Sequence, residues 1–215
     1  MKKEDVSMAV IRRLPRYFRY LRFLLNEGVE RVSSKKLSET LGLTASQVRQ
    51  DLNCFGEFGQ QGYGYSVRLL YEAIEKILGI DSPHKAILIG AGNLGKAILS
   101  YMDFSEKGFS LIGVFDKSPE VIEKNINGFS VLSIEDLGSF CKEQNPQAAL
   151  LCAPYDAIEE LAPILIDLGI KAFWNFSHYD VLRNYQNVCV ENVHLSDSLL
   201  TLCYQLNAKK EKEKV

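Results

Sequence analysis

The sequence predicts an α/β chain preceded by a small α+β domain. An N-terminal winged helix-turn-helix spans 1–80, a Rossmann-like doubly wound parallel sheet spans 81–194, and a C-terminal dimerisation helix with a charged tail spans 195–215. Three observations predict it. Short helical patterns separated by tight breaks fill the first part of the chain. From residue 86 onward, strand-like runs alternate with helix-length segments. At the head of that alternation, ILIGAGNLGKAI carries Gly-x-Gly-x-x-Gly at Gly90, Gly92 and Gly95.

In the N-terminal part, Pro15 suits a first helical position. PRYFRYLRFLLNEG places Phe18, Leu21 and Leu25 on one face, with Gly28 as a stop. SSKKLSETLG reads as a second short helix ended by Gly42, and TASQVRQDLNCFG as a third, where Thr44 and Gln47 make a capping box. Only GLT separates the last two, the spacing of a helix-turn-helix. On the third helix Val48, Leu52 and Phe55 must pack inward, which leaves Ser46, Arg49, Gln50 and Asn53 on the opposite face. Arginine matches the paired acceptors of guanine, and Gln and Asn match adenine. These residues, with Gln47, are expected to face DNA.

GQQGYGYSV (59–67) reads as a hairpin wing, with Gly62 and Gly64 supplying turn conformations and Tyr63, Gly64 and Tyr65 turned toward the nucleic acid. Arg12, Arg13, Arg16, Arg19 and Arg22 crowd the start; Arg16 and Arg19 project away from the apolar face, and Arg12 and Arg16 join the DNA-facing set. Residues 1–80 hold 13 Lys/Arg against 9 Asp/Glu, whereas 81–215 hold 12 against 18. The basic part is therefore the one to meet a polyanion. A protein-contact domain with a solvated polar face is the alternative.

GIDSPH (79–84) has the composition of a connector. Beyond it, AILIG (86–90), FSLIGVFD (109–116), AALLCA (148–153) and KAFWNF (171–176) read as strands. SIEDLGSFCKEQN, capped by Ser133, and YDAIEELAPILIDLG read as helices. The glycine turn, Gly90, Ala91, Gly92, Asn93, Leu94 and Gly95, allows a pyrophosphate to approach the backbone at the positive end of the following helix. Asp116, about 20 residues on, is placed to accept the adenosine ribose hydroxyls. Its charge favours NAD(H) over NADP(H), and Lys117 beside it weakens that preference.

At later strand ends, Ala153, Pro154, Asn175 and Phe176 are candidate walls for the nicotinamide, and Tyr101 could close over it; as core residues they would need no ligand. Oxidised nicotinamide is a cation and the reduced ring is neutral. An apolar pocket therefore favours NADH, expected to bind tightly, over NAD+, expected to bind more weakly.

The chain has no run of about 18 apolar residues, and its N-terminus is charged where a signal peptide needs an apolar centre, so a cytoplasmic location is expected. Five cysteines without C-x-x-C or zinc-like spacing argue against a metal site and read as buried hydrophobes. A thiol switch would need cationic neighbours. Among His84, His178 and His194, His178 is the best catalytic candidate, yet none sits in a recognisable motif, so no catalytic residue and no enzymatic activity are assigned. In LSDSLLTLCYQL, Leu195, Leu199, Leu202 and Leu206 form an apolar stripe that must be buried, on its own sheet or on a second copy.

RLPRYFRYL, TASQVRQDLNCFGEFGQQGYGY, IGAGNLGKAI, GVFDKSPE, IKAFWNF and VENVHLSDSL, in that order over nearly the whole chain, resemble the blocks of the redox-sensing transcriptional repressors called Rex. The resemblance implies a homodimer of winged-helix and Rossmann domains that binds a palindromic operator, represses genes of NADH reoxidation and leaves DNA when NADH binds. It also implies that the last helix is exchanged between subunits. Gln50 departs from the basic residue many members carry there, and adenine is expected at that position of the operator. Arg19 and Tyr101 are the candidate coupling pair, interacting only in the DNA-competent form. Two rivals stand beside this reading: a small NAD-dependent oxidoreductase with a vestigial helix-turn-helix, and a DNA-binding sensor of another nucleotide such as coenzyme A.

Overall fold

The computed structural model of the protein describes residues 6–56, 58–60 and 63–212. The chain divides into two compact units between Ser82 and Pro83. In the first unit the elements run α1 (Met8–Ile11), α2 (Leu14–Asn26), β1 (Arg31–Val32), α3 (Ser34–Leu41), α4 (Ala45–Asn53), β2 (Gly59–Gln60), β3 (Gly64–Ser66) and α5 (Val67–Leu78). Side-chain oxygens of Ser33, Thr44 and Ser66 accept the amides of Lys36, Gln47 and Leu69, so α3, α4 and α5 each start on a hydroxyl cap. Gly42 and Gly79 end α3 and α5 in the left-handed conformation.

Leu14, Tyr17, Leu21, Leu37, Val48, Leu52, Leu70 and Ile74 are sealed from solvent in one core. The three-stranded sheet, in the order β1-β3-β2, closes one side of it. Helix α5 is absent from the sequence reading, which stopped the wing at Val67. The chain passes from strand to helix at Ser66 with no breaking residue, although Val67, Leu70 and Ile74 carry a helical apolar period. Phe55 lies beyond the end of α4 and reaches the core from the turn. Gly62, expected to shape the wing, lies outside the described residues.

The second unit holds a seven-stranded sheet in the order β10-β9-β8-β4-β5-β7-β6. Here β4 is His84–Ile89, β5 Phe109–Asp116, β6 Asn125–Ile126, β7 Phe129–Ser133, β8 Ala148–Leu151, β9 Ala172–Asn175 and β10 Cys189–Asn192. Pairing is parallel except for β6 with β7. Strand β4 is central, and its period of two feeds two cores. Ile87 and Ile89 meet α7 (Leu137–Gln144) and α8 (Tyr155–Asp167) in one cluster; Ala86 and Leu88 meet α6 (Asn93–Tyr101) in the other. Helices therefore cover both faces, as a doubly wound sheet requires.

The β6–β7 hairpin escapes the sequence reading although Asn127-Gly128, both at positive φ, is the residue pair that such turns select. Strand β10 escapes because it is an exposed edge with no apolar alternation.

Buried Asn175, at the end of β9, joins that strand to β10. Its amide nitrogen donates to the Tyr179 carbonyl and to Asn192 Oδ1, both at 2.8 Å, while its Oδ1 accepts from the Ser177 amide at 3.0 Å and the Ser177 hydroxyl at 2.7 Å. A short α9 (Val181–Asn184) follows. The final helix, α10 (Leu195–Lys212), is exposed along nearly its whole length. Leu195, Leu199, Leu202 and Leu206 are between 49% and 67% exposed, so the stripe is not docked on its own sheet. The expected charged tail is in part helical, since α10 runs to Lys212.

Asn175→Ala strands several buried partners at once, a loss of about 1–3 kcal/mol. Calorimetry is expected to show the second unit melting several degrees lower, and an unchanged melting temperature would refute this account of the β9–β10 joint.

Candidate functional site

Two loops meet where the strand order reverses. The turn after β4 carries the glycines, and the turn after β8 carries Cys152, Ala153 and Pro154. Gly90 has φ +98, and a Cβ on it would lie 2.8 Å from the Ala153 nitrogen and the Cys152 carbonyl carbon. A Cβ on Gly95 would lie 2.1 Å from the Gly90 carbonyl oxygen. Both glycines are thus demanded by backbone packing. Gly92 is different, because a Cβ there meets nothing within 4 Å and would stand in the open cradle.

Gly92 is also the N-cap of α6 and has no side chain to cap it; Pro154, the N-cap of α8, gives none either. The first amides of α6 consequently remain available to an anion. Ala91 is buried, and its N–H donates to Asp116 Oδ2 at 2.7 Å, while the Ser118 N–H donates to Oδ1 at 2.8 Å. The Asp116 carboxylate, placed by the end of β5, thereby holds both the glycine turn and its own loop. It retains lone pairs for two ribose hydroxyls.

The resulting cradle encloses about 210 Å³ and is lined by Gly90, Gly92, Asp116, Lys117, Cys152, Ala153 and Pro154, with Ile134, Ala157 and Leu161 as an apolar slot and Glu160 at its edge. Burial pushes the Cys152 thiol up to about 12, which keeps it protonated and unreactive at neutral pH.

Three expected nucleotide contacts are not at this cradle. Asn175 is wholly buried and its amide is consumed by the β9–β10 joint, so the structure corrects the expectation of a ligand contact there. Phe176 packs edge-on against Trp174 with ring centroids 4.6 Å apart. Tyr101, 92% exposed, sits at the far end of α6 and lines a separate open groove with Phe104, Phe109, Leu111 and Phe129. Asn93 is exposed at the first turn of α6, and Leu94 packs partly on the core beneath it.

In the first unit Ser46, Arg49, Gln50 and Asn53 are exposed on one side of α4, opposite buried Val48 and Leu52, and Gln47 is half-buried. The Arg49 guanidinium donates to the Ser34 hydroxyl at 3.2 Å, which anchors it over the start of α3. Arg12 is exposed, and Arg16 donates to the Leu41 carbonyl at the end of α3. On the wing, Tyr63 is 70% exposed and is braced by Arg31, whose guanidinium donates to the Tyr63 carbonyl at 3.2 Å and lies 5.9 Å from its ring centroid. Arg31 went unnoticed in the sequence because it lies far from Tyr63 along the chain.

Tyr65 needs correcting: alternation along β3 turns it inward, where it is 8% exposed in the core, and it cannot face DNA. Gly64 serves packing, since a Cβ there would lie 2.7 Å from the Val32 carbonyl oxygen. Asp51 was also missed. It is buried on the inward side of α4, where Arg13 grips it from the start of α2 and the Tyr17 hydroxyl donates to it. Hydrogen bonding to Asp51 raises the Arg13 pKa; burial, then the same carboxylate, raises that of Tyr17.

A family model described as "Putative DNA-binding protein N-terminus" matches residues 5–53, and one described as "CoA binding domain" matches residues 81–179. A redox-sensing transcriptional repressor Rex of Caldicellulosiruptor bescii is 50% identical over 215 residues, covering 100% of this chain and 99% of the relative. The chain belongs to the Rex family. A Rex of Clostridium botulinum is 50% identical over 206 residues, 96% of this chain and 98% of that one.

Among solved structures, the Rex-family repressor RSP matches with a TM-score of 0.87 at 48% identity over 97% of each chain. RSP in complex with beta-NADH matches at 0.88 and 47% identity over 98% of each. RSP with beta-NAD+ and operator DNA matches at 0.88 and 50% identity, over 97% of this chain and 96% of that one. The resemblance read from the sequence blocks is therefore correct, and so is the winged-helix plus Rossmann architecture read from spacing.

Gly92→Ala separates folding from binding in this Rex-family cradle. Its backbone, at φ −71 and ψ −166, accepts a side chain. The variant is expected to melt like wild type while losing at least about tenfold in dinucleotide affinity. Titration by NADH fluorescence checks it, and unchanged affinity would remove Gly92 from the phosphate site.

Proposed function

We propose that this protein is a DNA-binding repressor that reads the NADH/NAD+ ratio and consumes neither form. The observation that carries the reading is the union in one chain of an intact dinucleotide cradle and an exposed polar recognition face. Full-length relatives named redox-sensing repressors support it, as do structures of RSP, one bound to NADH and one bound to NAD+ with operator DNA.

On this reading Gly90, Ala91, Gly92, Asn93, Leu94 and Gly95 hold the pyrophosphate, Asp116 and Lys117 the adenosine ribose, and Ala153 and Pro154 the wall opposite. Ser46, Gln47, Arg49, Gln50 and Asn53 read base edges, while Arg12, Arg16, Tyr63 and the backbone at Gly64 contact the sugar-phosphate chain. NADH binds more tightly than NAD+ because the neutral reduced ring enters an apolar site without an anion to balance it. The protein works in the cytoplasm, where DNA and the NADH pool are both present. Among the described residues no helix is long and apolar enough to cross a membrane, and no His/Cys/Asp/Glu group is arranged for a metal.

A homodimer follows from α10, whose leucine stripe requires a partner surface. The second copy supplies it and sets the two recognition helices about 34–36 Å apart in the DNA-competent form. NADH selects an arrangement that breaks this spacing. Arg19 and Tyr101, both exposed within their own units, interact only in the DNA-competent form. Reciprocity then requires DNA to weaken NADH binding by the same factor.

The deciding experiment selects DNA from a random pool with the purified protein, in parallel arms without ligand and with NAD+, NADH or coenzyme A. A palindrome enriched without NADH and lost with it is expected, and Tyr101→Phe should change the ratio of affinities with and without NADH. Loss of DNA with coenzyme A alone would favour the second nucleotide reading, which the family model over residues 81–179 motivates. Enrichment in no arm, together with steady turnover of NADH on a carbonyl substrate, would favour an enzyme. The double substitution Leu199→Glu and Leu202→Glu should yield monomers in sedimentation; a persistent dimer would place the interface elsewhere.

A further inference from the structure

Asp51 is a carboxylate buried to 2% exposure on the inward side of the recognition helix, between apolar contacts, and all of its described partners come from one turn of α2. Arg13 donates from Nε to Oδ2 at 2.7 Å and from Nη2 to Oδ1 at 2.6 Å, while the buried Tyr17 hydroxyl donates to Oδ2 at 3.0 Å. The apolar neighbours Val48 and Leu52 hold α4 against the core through contacts that are non-directional. A bidentate fork fixes a plane as well as a distance. A third donor, Tyr17, four residues further along the same turn, adds a second direction to the anchor.

A buried ion pair is weak evidence for net stability, since desolvation offsets its attraction. In some proteins a buried polar pair instead fixes a register, and base readout on the opposite face of α4 needs one. Arg49, Gln50 and Asn53 must meet base edges with hydrogen-bond geometry, whereas phosphate contacts tolerate looser placement.

We infer that the Arg13–Tyr17–Asp51 cluster is a positioning device for sequence readout: Asp51 touches no base, and it sets the register of α4 from which Arg49, Gln50 and Asn53 discriminate operator from other DNA. This rests on the DNA-reading function proposed above. The cluster belongs to the first unit alone, so dinucleotide affinity in the absence of DNA does not depend on it.

Tyr17→Phe is the first variant, because it deletes one donor and keeps the buried ring; Asp51→Asn is the second, and keeps the shape of the carboxylate. Full-length proteins are titrated with the duplex that wild type enriches from a random pool and with a scrambled duplex, over a salt series, alongside thermal melts and NADH titration. The expected result is a fall of about tenfold or more in the operator-to-scrambled affinity ratio, with scrambled-DNA affinity, salt slope and NADH affinity kept. An equal fall for both duplexes together with a lowered melting temperature would mean that the cluster only holds the fold, and would overturn the inference. An unchanged ratio in Tyr17→Phe and Asp51→Asn would also overturn it while leaving the DNA reading intact. Absence of any operator preference in wild type would remove both.

Discussion

Everything at the nucleotide site depends on the close approach of two backbones at the carboxyl ends of β4 and β8. The Gly90 and Gly95 positions are so near to neighbouring main chain that a methyl group has no room. That proximity draws the amino end of α6 into the crevice with its first amides uncapped. Any side chain at Gly92 would stand in the open cradle. The uncapped start of α6 is therefore a by-product of how tightly helix α6 and strand β4 pack.

Asp116 shows how one carboxylate organises the rest. It accepts from Ala91 on one side and Ser118 on the other, so the glycine turn and the loop after β5 share a single anchor before any ligand arrives. Pre-organisation of this kind lowers the entropy lost on binding. The Cys152 thiol, which lines the same cradle, stays protonated through burial.

The first unit solves a different problem. Its apolar core makes the three-helix arrangement compact, yet apolar contacts are non-directional and do not by themselves specify the rotation of α4, which carries an exposed polar face. Directed polar contacts supply that specification at α4, at the Arg49–Ser34 bond and at the Arg31 brace on the wing. Helix α10 is the converse case: its leucine stripe is exposed, and an isolated helix with an uncovered apolar face gains no stability from packing.

The sequence by itself determined the elements whose signals are local. The hydroxyl caps at Thr44 and Ser133, the stops at Gly28 and Gly42, the glycine turn and the acid ending β5 were all legible, because each depends on residues a few positions apart. The sealed four-residue stretch of β4 and the polar face of α4 were legible for the same reason.

Only the tertiary structure decided the fates of Asp51, Asn175, Tyr65 and Arg31. Asp51 meets Arg13 across 38 residues and Asn175 meets Asn192 across 17. A polar side chain that sequence assigns to a ligand or to solvent can equally be satisfied by a distant one. Which outcome holds depends on what the fold brings opposite it, and periodicity carries no information about that.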